Sequence, residues 1–246
     1  MENSLSLPSV IAHRGASADA PENTLAAIAL AIEQGAQWIE VDVNISSDGE
    51  LFIHHDDTLS RCTDGQGYLV GTTAEDLSEL DAGSWFAEKF AGEKIPTLAQ
   101  LTEFLLPHGT GVNLEMKATA GADIRLAQAV SEFIDHSWPE ELPLLTSSFS
   151  VLALKEFRHQ LPEHELGLLV CDVPDDWQDW MHEFQCDTLH CAADFITPEL
   201  CEDASDAGFP LLCYTVNDPE EARRLLDMGV TSVFTDRTQT LLNSLV

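Results

Sequence analysis

Basic residues are scarce in this sequence: 11 lysines and arginines stand against 43 aspartates and glutamates, a formal net charge of −32. Such a surface repels nucleic acids and anionic membranes, so we expect neither as a partner. No run of about 18 apolar residues occurs, which argues against a membrane-spanning helix. The start of the chain also lacks a basic segment followed by an apolar one. We therefore expect a cytoplasmic protein without stable membrane association.

Several familiar motifs are missing as well. The six cysteines form no C-x-x-C pair, so we expect free thiols, several of them in the core. The grouping of Cys186, His190 and Cys191 fits no standard zinc spacing. The sequence contains no G-x-S-x-G, G-x-x-x-x-G-K-[ST] or H-E-x-x-H motif, which argues against the hydrolases, nucleotide-binding proteins and metalloproteases that carry them.

What the chain does contain is a regular alternation of short β-like runs and helical segments. Its 246 residues match the roughly 250 of an eightfold barrel. We therefore predict an α/β fold, a TIM (β/α)8 barrel built as a single domain over residues 1–246. The eight candidate strands are 10–12, 38–43, 111–116, 142–146, 165–170, 188–189, 210–214 and 232–234. The first helix is expected to begin at the N-cap Asn23 and to end at Gly35.

Residues 56–96 interrupt this alternation. They contain turn signals such as "DGQG" and an aromatic pair, Trp85 and Phe86, but no clear period. We predict a small inserted subdomain after the second strand, preceded by a hairpin near residues 50–54. No linker or low-complexity tract divides the rest of the chain.

Carboxylates stand where two of the predicted strands end. Glu40 and Asp42 of "WIEVDV" lie two residues apart, so both side chains point to one face of a strand. Glu115 of "VNLEMK" adds a third carboxylate if the two strands are neighbours. Three carboxylates without Cys or His ligands favour a hard divalent cation, Mg²⁺ or Ca²⁺. The alternative is that one or two of these acids are simply solvated at a strand end.

Cations and histidines follow the same strands. Arg14 comes directly after the first strand, and Lys117 shares the face of Glu115, so both are candidates to bind an anionic phosphodiester. Cleavage of a phosphodiester by acid–base catalysis needs two proton carriers. His13 is one candidate, and the doublet His54–His55 supplies the other, although strand alternation alone does not decide which of the two faces inward.

These residues together resemble the glycerophosphodiester phosphodiesterases of the bacterial cytosolic type. The matching segments run in order from about residue 11 to residue 237. They are "IAHRGASADAPENTLAAI", "WIEVDVNISSDGELFIHHDDTLSRCTDG", "LDAGSWF", "IPTLAQL", "NLEMK", "YTVND" and "VFTDR". No one of these segments is specific alone, but together they are.

The resemblance implies an enzyme that hydrolyses a small-molecule glycerophosphodiester to glycerol 3-phosphate and an alcohol. A divalent metal would be held by Glu40, Asp42 and Glu115. His13 would activate the substrate's 2-hydroxyl together with the metal, His55 would protonate the leaving alcohol, and water would then open a cyclic phosphate. Arg14 and Lys117 would hold the phosphate. Glu22, Asn23, Tyr214 and Asn217 would support the site. Tyr214 stands where the family often has tryptophan, which leaves the preferred head group open.

Two other functions fit the same residues. A lysophospholipase D would keep the site and take a lysophospholipid through an apolar entrance, for which Trp85 and Phe86 are candidates. A barrel that only binds phosphate esters, as a sensor or storage protein, would tolerate the loss of a histidine or a metal ligand, yet every expected position is filled. We expect a monomer or a homodimer.

Overall fold

The computed structural model describes residues 6–117, 119 and 121–245. Eight parallel strands form the barrel, and a ninth, β3, is antiparallel. The strands are β1 Val10–His13, β2 Trp38–Ile45, β3 Leu51–Ile53, β4 Gly111–Met116, β5 Leu144–Ser148, β6 Leu166–Val170, β7 Thr188–Ala192, β8 Leu211–Tyr214 and β9 Ser232–Thr235. The predicted TIM barrel is thereby confirmed.

The barrel closes because β1 pairs in parallel with strands on both of its sides. Ala12 lies opposite Ile39 of β2 and opposite Thr235 of β9. On its other side β2 pairs in parallel with β4, so the next barrel strand after β2 is β4 and not β3. Strand β3 instead forms the predicted hairpin with the end of β2, and this pairing extends β2 to Ile45, beyond the expected residue 43.

Nine α-helices are found in the described residues. They are α1 Leu25–Glu33, α2 Ala74–Glu79, α3 Leu98–Leu105, α4 Asp123–Ser137, α5 Val151–Gln160, α6 Trp177–Phe184, α7 Pro198–Ala207, α8 Pro219–Asp227 and α9 Thr238–Ser244. The helices that follow barrel strands surround the barrel and bury their apolar faces against it.

The predicted N-cap of α1 is wrong by one residue. Thr24, not Asn23, caps the helix, because its hydroxyl accepts a hydrogen bond from the Ala27 N–H. Asn23 has a positive φ of 59°, and its side-chain amide donates to Asp42 instead. Asparagine tolerates this left-handed conformation better than most residues. Asn23 is therefore free to bind the Asp42 carboxylate, and Thr24 caps the helix.

Alternation along β2 explains how polar groups come to lie above an apolar barrel interior. Ile39, Val41 and Val43 belong to the large core between barrel and helices. Trp38 points the other way and packs with side chains from four other barrel strands, Ile11, Leu145, Leu212 and Phe234. Glu40 and Asp42 continue the Trp38 face toward the C-terminal end of the strand.

The segment between β3 and α3 has a small apolar cluster of its own. Its buried members are Leu59, Leu69, Leu77, Ala82 and Ile95, and Phe52 of β3 packs with them. This segment contains the predicted insertion at 56–96, while the boundaries and the single domain over 1–246 stay predictions. All six cysteines lie in the described part of the chain and are free thiols, five of them buried. No helix in that part is both long enough and apolar enough to cross a membrane.

Candidate active site

The three predicted carboxylates meet at the C-terminal ends of β2 and β4. The register of the two strands sets Asp42 opposite Glu115 and Glu40 opposite Asn113. Glu40, Asp42 and Glu115 are all buried, and each offers a carboxylate oxygen within 4.8 Å of the other two. They form the only such group of potential metal ligands among the described residues.

Burial and mutual repulsion make this cluster electrostatically costly. Burial raises the pKa of Glu40 well above its usual range, and the charges of Asp42 and Glu115 raise it further. Burial and Asp42 likewise raise the pKa of Glu115. For Asp42 burial acts upward too, but Arg14 and Lys117 outweigh it and hold its pKa below the usual range.

The donor set fits a hard divalent cation. All ligating atoms are carboxylate oxygens, the type that Mg²⁺ and Ca²⁺ prefer. Glu40 Oε1 and Asp42 Oδ1 are buried and accept no hydrogen bond from the described residues. Buried charged oxygens without donors are unfavourable, so a cation among them would relieve both the desolvation and the repulsion.

Two predicted phosphate ligands flank the carboxylates. Lys117 Nζ lies 2.6 Å from Glu115 Oε1 and 3.4 Å from Asp42 Oδ1. The Arg14 backbone N–H donates to Glu40 Oε2 at 3.0 Å, and its Nε lies 3.3 Å from Asp42 Oδ2. Both cations line the same cavity, so an anion there would meet positive charge in a protein that is otherwise strongly acidic.

The structure distinguishes the two histidines of the doublet. His55 lines the cavity, and its Nδ1 lies 2.6 Å from Asp56 Oδ1, which leaves Nε2 for a substrate. His54 is buried outside the cavity lining, and its Nε2 donates to the Thr58 carbonyl at 3.1 Å. His13, at the end of β1, also lines the cavity, with its Nδ1 2.7 Å from Asp236 Oδ1.

Glu22 connects Arg14, a predicted phosphate ligand, with the surroundings of His55. Its Oε1 accepts from Arg14 Nη1 at 2.8 Å, and both of its oxygens accept from Arg61. Arg61 in turn binds both oxygens of Asp56, the partner of His55. The sequence prediction named Glu22 but not Arg61 or Asp56, although the "HDDTLSR" run was available as the signal.

The other predicted supporting residues occupy different places. Asn23 binds Asp42 through both ends of its amide: its Nδ2 donates to Oδ2 at 2.7 Å, and its Oδ1 accepts from the Asp42 N–H. Tyr214 lines the cavity, and its hydroxyl donates to the Val170 carbonyl. Asn217 does not line the cavity but donates to Asp236, which the sequence prediction did not include in the site.

One cavity of about 150 Å³ holds these groups at the C-terminal face of the barrel. Its lining combines charged side chains with aromatic and apolar ones. The lining residues are His13, Arg14, Glu40, His55, Asn113, Glu115, Lys117, Phe149, Leu169, Tyr214, Thr215 and Phe234. Such a wall suits a ligand with an anionic part and a less polar part.

Known proteins share both the sequence and the fold. Residues 13–240 match the Glycerophosphoryl diester phosphodiesterase family. A glycerophosphodiester phosphodiesterase of Caldanaerobacter subterraneus is 37% identical over 239 residues, covering 95% of this chain and 96% of that protein. An Oleispira antarctica phosphodiesterase, solved with the product sn-glycerol-3-phosphate, is 40% identical with a TM-score of 0.95, and 97% of each chain is covered.

A more distant structure agrees. The glycerophosphodiester phosphodiesterase of Agrobacterium tumefaciens is 28% identical with a TM-score of 0.80, covering 98% of this chain and all of that one. The family match over residues 13–240 spans the carboxylates, the cations and both cavity histidines. This chain therefore belongs to the glycerophosphoryl diester phosphodiesterase family.

Proposed function

We propose that this enzyme hydrolyses small glycerophosphodiesters to glycerol 3-phosphate and an alcohol, with His13 and His55 as the acid–base pair. The observation that carries the proposal is the convergence on one cavity of two histidines, two cations and a buried carboxylate triad. The product seen with the Oleispira relative supports the same substrate class.

Arg14 and Lys117 hold the phosphodiester anion in the cavity. His13 accepts the proton of the substrate's 2-hydroxyl while that oxygen bonds to phosphorus. The bond from phosphorus to the alcohol breaks, and protonated His55 gives its proton to the departing oxygen. Water then opens the cyclic phosphate: His55 takes its proton, and His13 returns one to the 2-oxygen. Both histidines are thereby restored.

Without substrate, the surroundings of His55 lower its pKa, so its role as the acid depends on the bound phosphodiester. Burial lowers the pKa of His55, and the positive charges of Arg14 and Lys117 lower it further, while Asp42 acts in the opposite direction. A bound phosphodiester anion offsets the two cations. Substrate binding should therefore raise the pKa of His55 and favour the protonated form that the first step needs.

Glu40, Asp42 and Glu115 would hold the divalent ion, which we propose to be Mg²⁺ or Ca²⁺. Such an ion supplies Lewis-acid polarisation of the phosphate. We further propose that the enzyme acts in the cytoplasm, as a monomer or a homodimer, on a dissolved substrate. Its six free thiols are typical of a reducing compartment.

Release of glycerol 3-phosphate from glycerophosphocholine tests the proposal. We expect turnover that a chelator abolishes and that added Mg²⁺ or Ca²⁺ restores. A glycerophosphocholine methylated on the 2-hydroxyl should be inert, because it cannot form the cyclic phosphate. Turnover unaffected by chelation would contradict the metal site, and rapid cleavage of the methylated substrate would contradict the cyclic route.

A second substrate class is favoured by apolar side chains around the cavity. Ile124, Phe149, Leu152 and Phe195 are between 40% and 57% exposed. Each follows the C-terminal end of a barrel strand, β4, β5 or β7, so all four lie on the face where the cavity opens. The acyl chain of a lysophospholipid could cover such a rim.

This rim differs from the entrance that the sequence suggested. Trp85 and Phe86 pack edge to face in the inserted segment, with ring centroids 5.6 Å apart, and do not line the cavity. Phe149 does line the cavity, and its ring packs edge to face on that of Tyr214, with ring centroids 6.0 Å apart. The apolar approach therefore lies on the β5 side of the barrel.

Phe149→Ser separates the two substrates. We expect it to lower kcat/KM for lysophosphatidylcholine about tenfold, the effect of roughly 1.4 kcal/mol of lost apolar contact, and to change glycerophosphocholine turnover by less than twofold. Leu106→Ser is the control, because Leu106 is similarly exposed but follows α3 at the opposite face. Equal losses on both substrates, or no hydrolysis of lysophosphatidylcholine by the wild type, would reject this second class.

A further inference from the structure

Closure of the barrel brings Asp236 next to His13. The two residues are 223 positions apart in sequence, but β1 and β9 are paired strands, and Asp236 follows the end of β9 as His13 ends β1. His13 Nδ1 lies 2.7 Å from Asp236 Oδ1. The other ring nitrogen, Nε2, faces the carboxylate triad, 3.9 Å from Glu40 Oε2.

Neighbouring polar groups hold the Asp236 carboxylate in place. Asn217 Nδ2 donates to Oδ2 at 2.8 Å, and Asn217 Oδ1 accepts from the Asp236 backbone N–H at 2.9 Å. The Ser17 hydroxyl lies 3.0 Å from Oδ1 and 2.7 Å from the His13 carbonyl oxygen. Asn217 thus fixes both the backbone and the side chain of Asp236, and Ser17, with one hydroxyl hydrogen, donates either to Asp236 Oδ1 or to the His13 carbonyl.

The carboxylate is an acceptor for His13 and has no other ionic partner among the described residues. Burial alone would raise the pKa of Asp236, but the hydrogen bonds from His13, Asn217 and Ser17 hold it below its usual range. An ionised carboxylate only accepts hydrogen bonds. The nitrogen facing it must therefore carry the hydrogen, so neutral His13 is protonated on Nδ1 and keeps its Nε2 lone pair for the cavity.

We propose that Asp236 is the positioning residue for His13: it selects the Nδ1–H tautomer and aims Nε2 at the reacting hydroxyl, with Asn217 and Ser17 holding the carboxylate. The proposal rests on the proposed function of His13. His55 has its own partner in Asp56, which Arg61 holds, so each histidine of the pair has a separate aspartate.

Asp236→Asn should change the tautomer of His13 while keeping a polar side chain of similar size at position 236. Asn217 donates to the Oδ2 position, so the new amide must turn its oxygen toward Asn217 and its NH2 toward His13 Nδ1. That nitrogen then accepts a hydrogen bond, and the hydrogen moves to Nε2. We expect kcat for glycerophosphocholine to fall about 10²- to 10³-fold, with KM changed less than twofold, because binding through Arg14 and Lys117 is intact.

The control is Asp218→Asn. Asp218 lies beside Asn217 but caps α8, accepting from the Glu220 and Glu221 N–H groups, a role that asparagine also fills. We expect wild-type kcat. Two-bond ¹H–¹⁵N spectra of histidine-labelled protein should show hydrogen on His13 Nδ1 in the wild type and in Asp218→Asn, and on Nε2 in Asp236→Asn.

Three results would overturn the proposal: a wild-type kcat in Asp236→Asn, a loss expressed in KM alone, or an unchanged His13 tautomer. The spectra read the tautomer directly, so they are decisive even if Asp236→Asn loses stability. Failure of the proposed function looks different, because the wild type itself would then release no glycerol 3-phosphate while the tautomer change persisted.

Discussion

His55→Gln should lower kcat for glycerophosphocholine about 10²- to 10⁴-fold, the usual contribution of a general acid or base. The adjacent substitution His54→Gln should leave kcat within about threefold of wild type. The doublet offers a matched pair because both residues are histidines on one loop. Only His55 lines the cavity, whereas His54 donates to the Thr58 carbonyl in the interior. Glutamine can replace that hydrogen bond but cannot exchange a proton.

Thermal melts complete this test. His54→Gln should lower Tm, because a buried, packed side chain is replaced, and His55→Gln should change Tm little, because His55 is half-buried at the cavity. Both variants should still show a metal-induced rise in Tm, since neither residue belongs to the carboxylate triad. A loss of kcat in His54→Gln as large as in His55→Gln would contradict the assignment of the doublet.

Glu40→Gln should stabilise the chelator-treated protein and abolish its activity. Without an ion, burial and the charges of Asp42 and Glu115 disfavour the ionised Glu40, and the amide removes that charge. It also keeps an oxygen for the Arg14 N–H, which now donates to Oε2. We expect Tm to rise by about 2–8 °C, equivalent to roughly 1–2 kcal/mol in a domain of this size. Turnover should fall at least about 100-fold, because a metal ligand is lost.

The response to metal separates this account from a general effect of removing a charge. Added Mg²⁺ or Ca²⁺ should raise the Tm of the wild type but not that of Glu40→Gln. Glu165→Gln is the control, because burial and Asp187 also raise the pKa of Glu165, which lies outside the site before β6. That variant should keep both activity and the metal response. A lower Tm for Glu40→Gln in chelator, or a retained metal response, would contradict an ion at the triad.

The raised pKa of Glu40 also predicts a pH dependence of stability that the wild type has and Glu40→Gln lacks. Since the folded-state pKa of Glu40 is raised, the folded ion-free protein binds a proton that the unfolded chain releases at the ordinary carboxyl pKa. This contribution to stability is complete below the ordinary pKa and is lost as the pH rises through the raised one. The unfolding free energy of chelated wild type should therefore fall with rising pH, and Glu40→Gln should lack this component.

Local periodicity was sufficient to predict the barrel and the carboxylate face. Glu40 and Asp42 share a face because strands alternate, and the number of β-like runs indicated the eight strands. The register that sets Asp42 opposite Glu115 required β2 and β4 to be neighbours, which the hairpin strand β3 between them in sequence does not prevent. The N-cap of α1 was misplaced because the tertiary contact of Asn23 with Asp42 outweighs its local capping preference.

Two features of the site lay beyond local patterns. Strand β3 ends at Ile53, so strand alternation does not extend to His54 and His55 and does not orient them. The family resemblance pointed to His55 where spacing could not. Asp236 was recognisable only as a polar residue after a strand, because its partner His13 lies at the other end of the barrel sequence and no short-range spacing relates them.

The pairing of β1 with β9 has a consequence for how the enzyme is made. While the ribosome still holds the later segments, a nascent chain already contains both histidines, both cations and all three carboxylates. It nevertheless lacks β9, the strand that pairs with β1 and closes the barrel. Contacts so distant in sequence form late. The partly synthesised chain therefore contains the residues of the site but is inactive. Activity begins only when β9 has paired with β1.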